Sequence, residues 1–153
     1  MAREAANLLL SNPSVLPQDA MNAIAGLALL AVQEGDRPAA KEHYEFLLGK
    51  RGTLTSSAKS VDRILGLLSQ TMGDVNQSSE HFKDALEFCR KAGYRPELAW
   101  SCCDYADMLT ERGIDGDRAE SESLLDESLT IATELGMRPL IERVRSRLDK
   151  LPE

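Results

Sequence analysis

The chain has 153 residues, about one domain's worth, enough to bury roughly two-thirds of its unfolded surface in a single core. Eighteen Lys and Arg against 25 Asp and Glu leave a net charge of −7, a field that repels phosphate backbones and anionic membranes and argues against direct nucleic-acid binding. At 42% apolar and 28% charged residues the composition is that of a chain that folds rather than one that stays disordered.

The first predicted element is a short helix over 2–10, in which Ala5, Ala6, Leu8, Leu9 and Leu10 form a nearly uncharged surface that Asn12 and Pro13 cut off. No small-residue cleavage site follows an apolar core there, so it does not read as a signal peptide. A pair of helices is predicted at 18–34 and 37–49. It contains the longest apolar run, Ala23 to Val32, whose ten residues fall far short of the roughly 20 that cross a bilayer. Two more pairs follow at 57–72 with 75–92 and at 96–112 with 117–135, and a closing helix at 138–150. Phe82, Ala85, Leu86 and Cys89 stand at i, i+3, i+4 and i+7, the helical period, and no segment reads as a strand. Gly35, Gly73 and Gly113 end the first helix of each pair, where a positive φ is needed. Pro96 and Pro139 restart the chain in a first helical turn.

The pairs are copies of one another. Residues 27–48 and 65–86, 38 positions apart, share eight of 22 residues, among them Gly35 with Gly73, Asp36 with Asp74 and His43 with His81. Gly73 recurs as Gly113 after 40 residues, and Gly93-Tyr94-Arg95-Pro96 recurs as Gly136-Met137-Arg138-Pro139 after 43. A lone helix pair cannot bury both apolar faces, so successive pairs must stack. The pattern resembles tetratricopeptide units: Ala28, Gly66 and Ala106 fill the slot where two helices approach, and Tyr44, Phe82 and Leu125 fill the large slot facing it. Ser78 and Ser121 depart from it where Ala is usual, and periods of 38 to 43 exceed the usual 34. The fold class expected is all-α, a tetratricopeptide-like α-solenoid of about three helix pairs plus terminal helices, forming a single domain over 1–153.

A closer likeness lies in HFKDALEFCRKAGYRPELAWSCCDYADML (81–109) and DRAESESLLDESLTIATELGMRPLIERV (117–144). These resemble the C-terminal helical-repeat region of large bacterial signalling proteins. In that family, similar segments follow an ATPase module and accompany a LuxR-type DNA-binding domain or an adenylate or guanylate cyclase domain. The resemblance implies a cytoplasmic sensory or coupling module. With no P-loop, cyclase segment or basic recognition helix, the chain is expected to be one part of such a protein or a free-standing relative.

The residues that invite chemistry have plainer readings. Gly49-Lys50-Arg51-Gly52-Thr53 lacks the G-x-x-x-x-G-K-[ST] spacing and follows a helix, so it is a helix-ending loop. His43 and His81 lack the i, i+4 pairing of a metal site and read as solvent-facing or boundary residues. Cys102 and Cys103 diverge by about 100° on a helix and, with Cys89, read as small buried hydrophobes of a reducing compartment. The carboxylates from Glu111 to Glu127 do not form a calcium loop and read as a solvated helix start near a positive dipole end. The basic tail, with Arg138, Arg143, Arg145, Arg147 and Lys150, reads as solvating the closing helix, with docking onto an acidic partner as the alternative.

No catalytic residues, metal ligands or cofactor are expected. The functional expectation is a non-catalytic module that binds a protein or peptide on the face lined by the first helices. The residues placed there are Arg63, Leu67 and Gln70 beside Trp100, Cys103, Asp107 and Glu111, with Asn22, Leu29 and Gln33 extending the face. An alternative is a small-molecule effector-sensing domain of a transcriptional regulator. Trp100 is the only tryptophan, and its counterpart one copy later is Arg143, so it reads either as a binding anchor or as packing. The apolar first helix, which resembles the second half of a preceding pair, is expected to need a neighbour, either a second copy or an upstream domain.

Overall fold

The computed structural model describes residues 2–151. Its elements are α1 (Ala2–Leu10), α2 (Pro17–Glu34), α3 (Arg37–Leu48), α4 (Val61–Thr71), α5 (Val75–Ala92), α6 (Arg95–Arg112), α7 (Asp117–Leu135) and α8 (Arg138–Lys150). The protein is all-α: among the described residues the sole β pairing is an isolated bridge between Leu54 and Ser60. No helix among them is long and apolar enough to cross a membrane. Seven helices lie within a residue of their expected bounds.

The exception is α4, expected from residue 57 and observed from Val61. Residues 53–60 fold into a tight turn instead, with Thr55 N donating to Lys59 O, Val61 N donating to Thr53 O, and the Thr55 hydroxyl accepting from Lys59 N. Ala58 sits at φ 59° inside it. The helix then starts on Ser60, whose Oγ accepts from Arg63 N at 3.2 Å, the ordinary N-cap bond. Asp36 and Asp74 cap α3 and α5 in the same way, each accepting from the amide three residues on.

The chain divides into two compact units at His81/Phe82, within α5. In the first, small residues of α2 (Ala25, Ala28, Ala31) and α3 (Ala40) let these helices close on Ile64, Leu65 and Leu68 of α4, with Leu47 and Val61 filling between them. In the second, Phe82 stacks on Tyr105 with ring centroids 5.6 Å apart. Met108, Leu109, Leu125, Leu140 and Val144 are fully buried in the same unit.

The two serines that depart from the repeat pattern have a common explanation. Ser78 Oγ donates to the carbonyl of Gly66 at 2.7 Å, and Ser121 Oγ donates to that of Ala106 at 3.2 Å. In each unit a second helix is thus fastened to the small residue of the helix it packs on. Both serines are fully buried, where a hydroxyl needs such an acceptor.

Candidate functional site

Helix α6 places Trp100, Asp104, Asp107 and Glu111 at i, i+4, i+7 and i+11, one face of a helix. Across from it α8 sets Arg143 and Arg147 one turn apart. An Nη of Arg143 donates to Asp104 Oδ1 at 3.1 Å and to Asp107 Oδ2 at 3.0 Å, and Arg147 Nε donates to Asp107 Oδ1 at 2.9 Å. Charges therefore alternate along the chain Asp104, Arg143, Asp107, Arg147. The Arg143 guanidinium carbon lies 5.9 Å from the centroid of the Trp100 ring, within cation–π range.

Burial grades along this face. The Asp104 side chain is 3% exposed, Asp107 26% and Arg143 36%, while Trp100 is half-buried and Glu111 is exposed. Burial pulls the Arg143 pKa down, but Asp104, together with Asp107, outweighs it and holds the guanidinium above its ordinary value. The cluster is an ion chain of alternating charge, with the Trp100 ring at one end of the α6 face and the exposed Glu111 at the other.

Of the residues expected on the binding face, Trp100, Asp107 and Glu111 share this α6 surface. Cys103 does not reach it: its side chain is fully buried, and burial pushes its thiol up to about 12. Arg63, Leu67 and Gln70 belong to the first unit, on α4. Arg63 is buried at 7% exposure, and Leu67 and Gln70 are half-buried. In the same unit Asn22 is engaged by Ser56, whose amide donates to its Oδ1 and whose hydroxyl accepts from its amide nitrogen. Sequence reasoning missed Asp104 and gave Arg143 and Arg147 a solvating role or a separate acidic partner, whereas their acidic partners, Asp104 and Asp107, lie within the chain. The signal available was register, since Arg143 repeats the position of Trp100 one copy later.

Among the other residues singled out in the sequence, His81 and Asp117 are corrected by their surroundings, while the boundary position of His43, the helix-ending loop at 49–53 and the buried Cys102 agree with the reading. His81 is neither solvent-facing nor at a boundary: it is buried, with Nε2 2.7 Å from the Tyr44 hydroxyl. His43 is half-buried, and desolvation lowers its pKa. Asp117 is not part of a solvated helix start. It is buried and takes both Nε and Nη2 of Arg112, at 2.8 and 2.7 Å, together with the Ile114 amide. In the 49–53 loop the Gly52 amide donates to Asp62 Oδ2 at 2.9 Å and the Thr53 hydroxyl to Lys50 O at 2.6 Å, so donors that a phosphate would need are already engaged. Cys102 is fully buried, its Sγ 3.5 Å from Glu127 Oε2. Desolvation, with the nearby Glu127 carboxylate, raises its pKa. A protonated, buried thiol is a poor nucleophile and a poor metal ligand.

Comparison with family models, with curated proteins and with solved structures found no match to this chain.

Proposed function

We propose that this protein is a non-catalytic helical-repeat module, and that the α6–α8 face docks an extended or helical segment of a partner protein. The observation that carries this reading is the Trp100 ring, half-buried against Arg143, on the same helix face as Asp107 and the exposed Glu111. An aromatic held in place by a rigid neighbour, with a polar rim around it, is the composition of an interaction hot spot. The ion chain fixes the side chains beforehand, which lowers the ordering cost of binding. The buried, protonated thiols and the self-neutralised arginines favour recognition over chemistry at this place.

The arrangement we infer is a tetratricopeptide-like stack. It is supported by side-chain hydrogen bonds between helices that recur at about one repeat length within each unit: Tyr44 with His81, Arg37 with Met72 O, Arg90 with Glu127, and Arg147 with Asp107. A regulatory role in a bacterial signalling protein, in the cytoplasm, is the biological setting this reading carries with it.

The test uses the sole tryptophan as its own reporter. A displayed peptide library is panned on the full chain, and selected peptides are titrated while Trp100 emission is followed. Peptides that bind should shift that emission, and Trp100→Ala and Glu111→Lys should weaken them by calorimetry while far-ultraviolet circular dichroism stays unchanged. Selected peptides that leave Trp100 emission and both variants' affinities unaffected would sink the assignment.

A further inference from the structure

Helix α4 is short by the measure of its own repeat. It has 11 residues, whereas α2 and α6, the first helices of the other two pairs, have 18 each. The starts of those two helices, Pro17 and Arg95, lie 38 residues before and 40 residues after Thr55, so in the repeat register both place the missing start at one position. Helices α2, α6 and α8 share a proline in the first turn, which fixes φ and pins the start. Residues 55–60, Thr-Ser-Ser-Ala-Lys-Ser, contain neither proline nor glycine, so nothing local pins or breaks a helix there.

These residues are held out of the helix by a neighbour. Asn22 of α2 grips Ser56 at two points: its Nδ2 donates to the Ser56 hydroxyl at 2.7 Å, and its Oδ1 accepts from the Ser56 amide at 3.0 Å. The turn that results puts Ala58 at φ 59°, the one non-glycine residue at positive φ among the described residues. Alanine is ill suited to that region, where Cβ crowds the following carbonyl, and it is the best of the helix formers. Ser56 is also the natural cap of a helix begun at Ser57, accepting from Lys59 N in place of the Thr55 hydroxyl that holds that amide in the turn. Asn22 therefore withholds the cap that a longer helix needs.

We propose that residues 55–60 are a two-state segment latched by Asn22: when Asn22 releases Ser56, α4 winds back by one turn to start at Ser57, and Ala58 leaves the left-handed region. The added turn lengthens the helix by about 6 Å. Residues 49–56 then make the connection from α3, whereas Gly93 and Tyr94 alone suffice between α5 and the full-length α6. Val61 N exchanges the Thr53 carbonyl for that of Ser57, so the backbone stays satisfied. Asn22 also borders the groove between α1 and α2, so the latch is reached from solvent. The device lies wholly in the first unit and does not rest on the α6–α8 assignment.

The experiment is solution NMR over residues 55–61 in the full chain and in two variants. In the parent, Ala58 should show a positive φ, and no nuclear Overhauser contact should join the Ser57 α-proton to the Ser60 amide. In Asn22→Ala that contact should appear, and the Cα shifts of Ala58 and Lys59 should move to helical values. Ser57→Pro, which supplies at the first helical position the pin that α2 has in Pro17, should produce the same change with Asn22 in place. An Ala58 that keeps its positive φ in Asn22→Ala, a segment that takes random-coil shifts once Asn22 is gone, or a Ser57→Pro protein that keeps the turn each overturns the proposal.

Discussion

Arg143 lies over the ring of Trp100, its guanidinium carbon 5.9 Å from the ring centroid, although the two residues hold the same position in successive copies of one repeat. A position whose occupants meet each other across a repeat boundary is under a pairwise constraint, and the two side chains should answer differently to truncation. Trp100→Ala removes a half-buried ring and a cation–π contact, at a cost of about 2 kcal/mol, below the ~3–5 kcal/mol of a fully buried tryptophan. Arg143→Ala takes away the guanidinium that faces the buried Asp104 carboxylate and should cost more, about 3 kcal/mol. Urea denaturation of the two variants, and of Arg143→Ala combined with Asp104→Asn, tests this. The double variant should recover part of the loss, and simple additivity would show that the pair is uncoupled.

The Ser78–Gly66 and Ser121–Ala106 bonds make a second prediction. Each serine stands where the repeat pattern would put alanine, so Ala fits the space, and only hydrogen bonding is lost: the bond to Gly66 O at Ser78, and at Ser121 the bond to Ala106 O with a 3.2 Å contact to the Thr110 hydroxyl. Ser78→Ala and Ser121→Ala should each destabilise by about 1 kcal/mol, the net worth of a typical intramolecular hydrogen bond. A gain in stability from either would mean that the hydroxyl is tolerated rather than used.

These serines also mark where the sequence was legible and where it was not. Period and punctuation located the helices, because the apolar stripe of α5 and glycines such as Gly35, at φ 66°, act locally. Residues 57–60 defeated that reading, since nothing in Ser-Ala-Lys-Ser forbids helix; the bond from Val61 N to Thr53 O pulls them into a turn, and that contact is tertiary. The site was half legible for the same reason. Trp100 and Asp107 followed from helical spacing, but the pairing of Asp104 and Asp107 with Arg143 and Arg147 spans 36 to 40 residues. In the sequence alone the charge on α8 has no visible partner, because α6 comes opposite it only through the packing of the helices. Cys103, chosen by spacing alone, points into the core.

The Arg112–Asp117 pair gives the fold an acid-sensitive element. The two-point hydrogen bond from Arg112, aided by the Ile114 amide, holds the Asp117 carboxyl below the ordinary carboxylate range. A depressed folded-state pKa means that its contribution is fully present above the unfolded carboxylate pKa of about 4. It is lost as pH falls through the lower folded value. Asp117→Asn should therefore cost about 2 kcal/mol at neutral pH, and the gap from the parent should narrow on acidification below about pH 4. A gap that stays constant into acid would show that the carboxylate's charge is not what Arg112 recognises.

The three cysteines supply the last prediction. Cys89, Cys102 and Cys103 are all free and buried, each with no exposed surface, and Cys103 is pushed up to about 12 by desolvation. Both attributes suppress reaction, because the attacking species is the thiolate and it must reach solvent. The folded protein should give no fast phase with an aromatic disulfide reagent at neutral pH, and all three thiols should react once urea unfolds it. At intermediate urea the slow phase should follow the unfolded fraction, so that labelling reports on opening of the second unit. A thiol that reacts rapidly in the absence of denaturant would mean that this unit opens locally, without global unfolding.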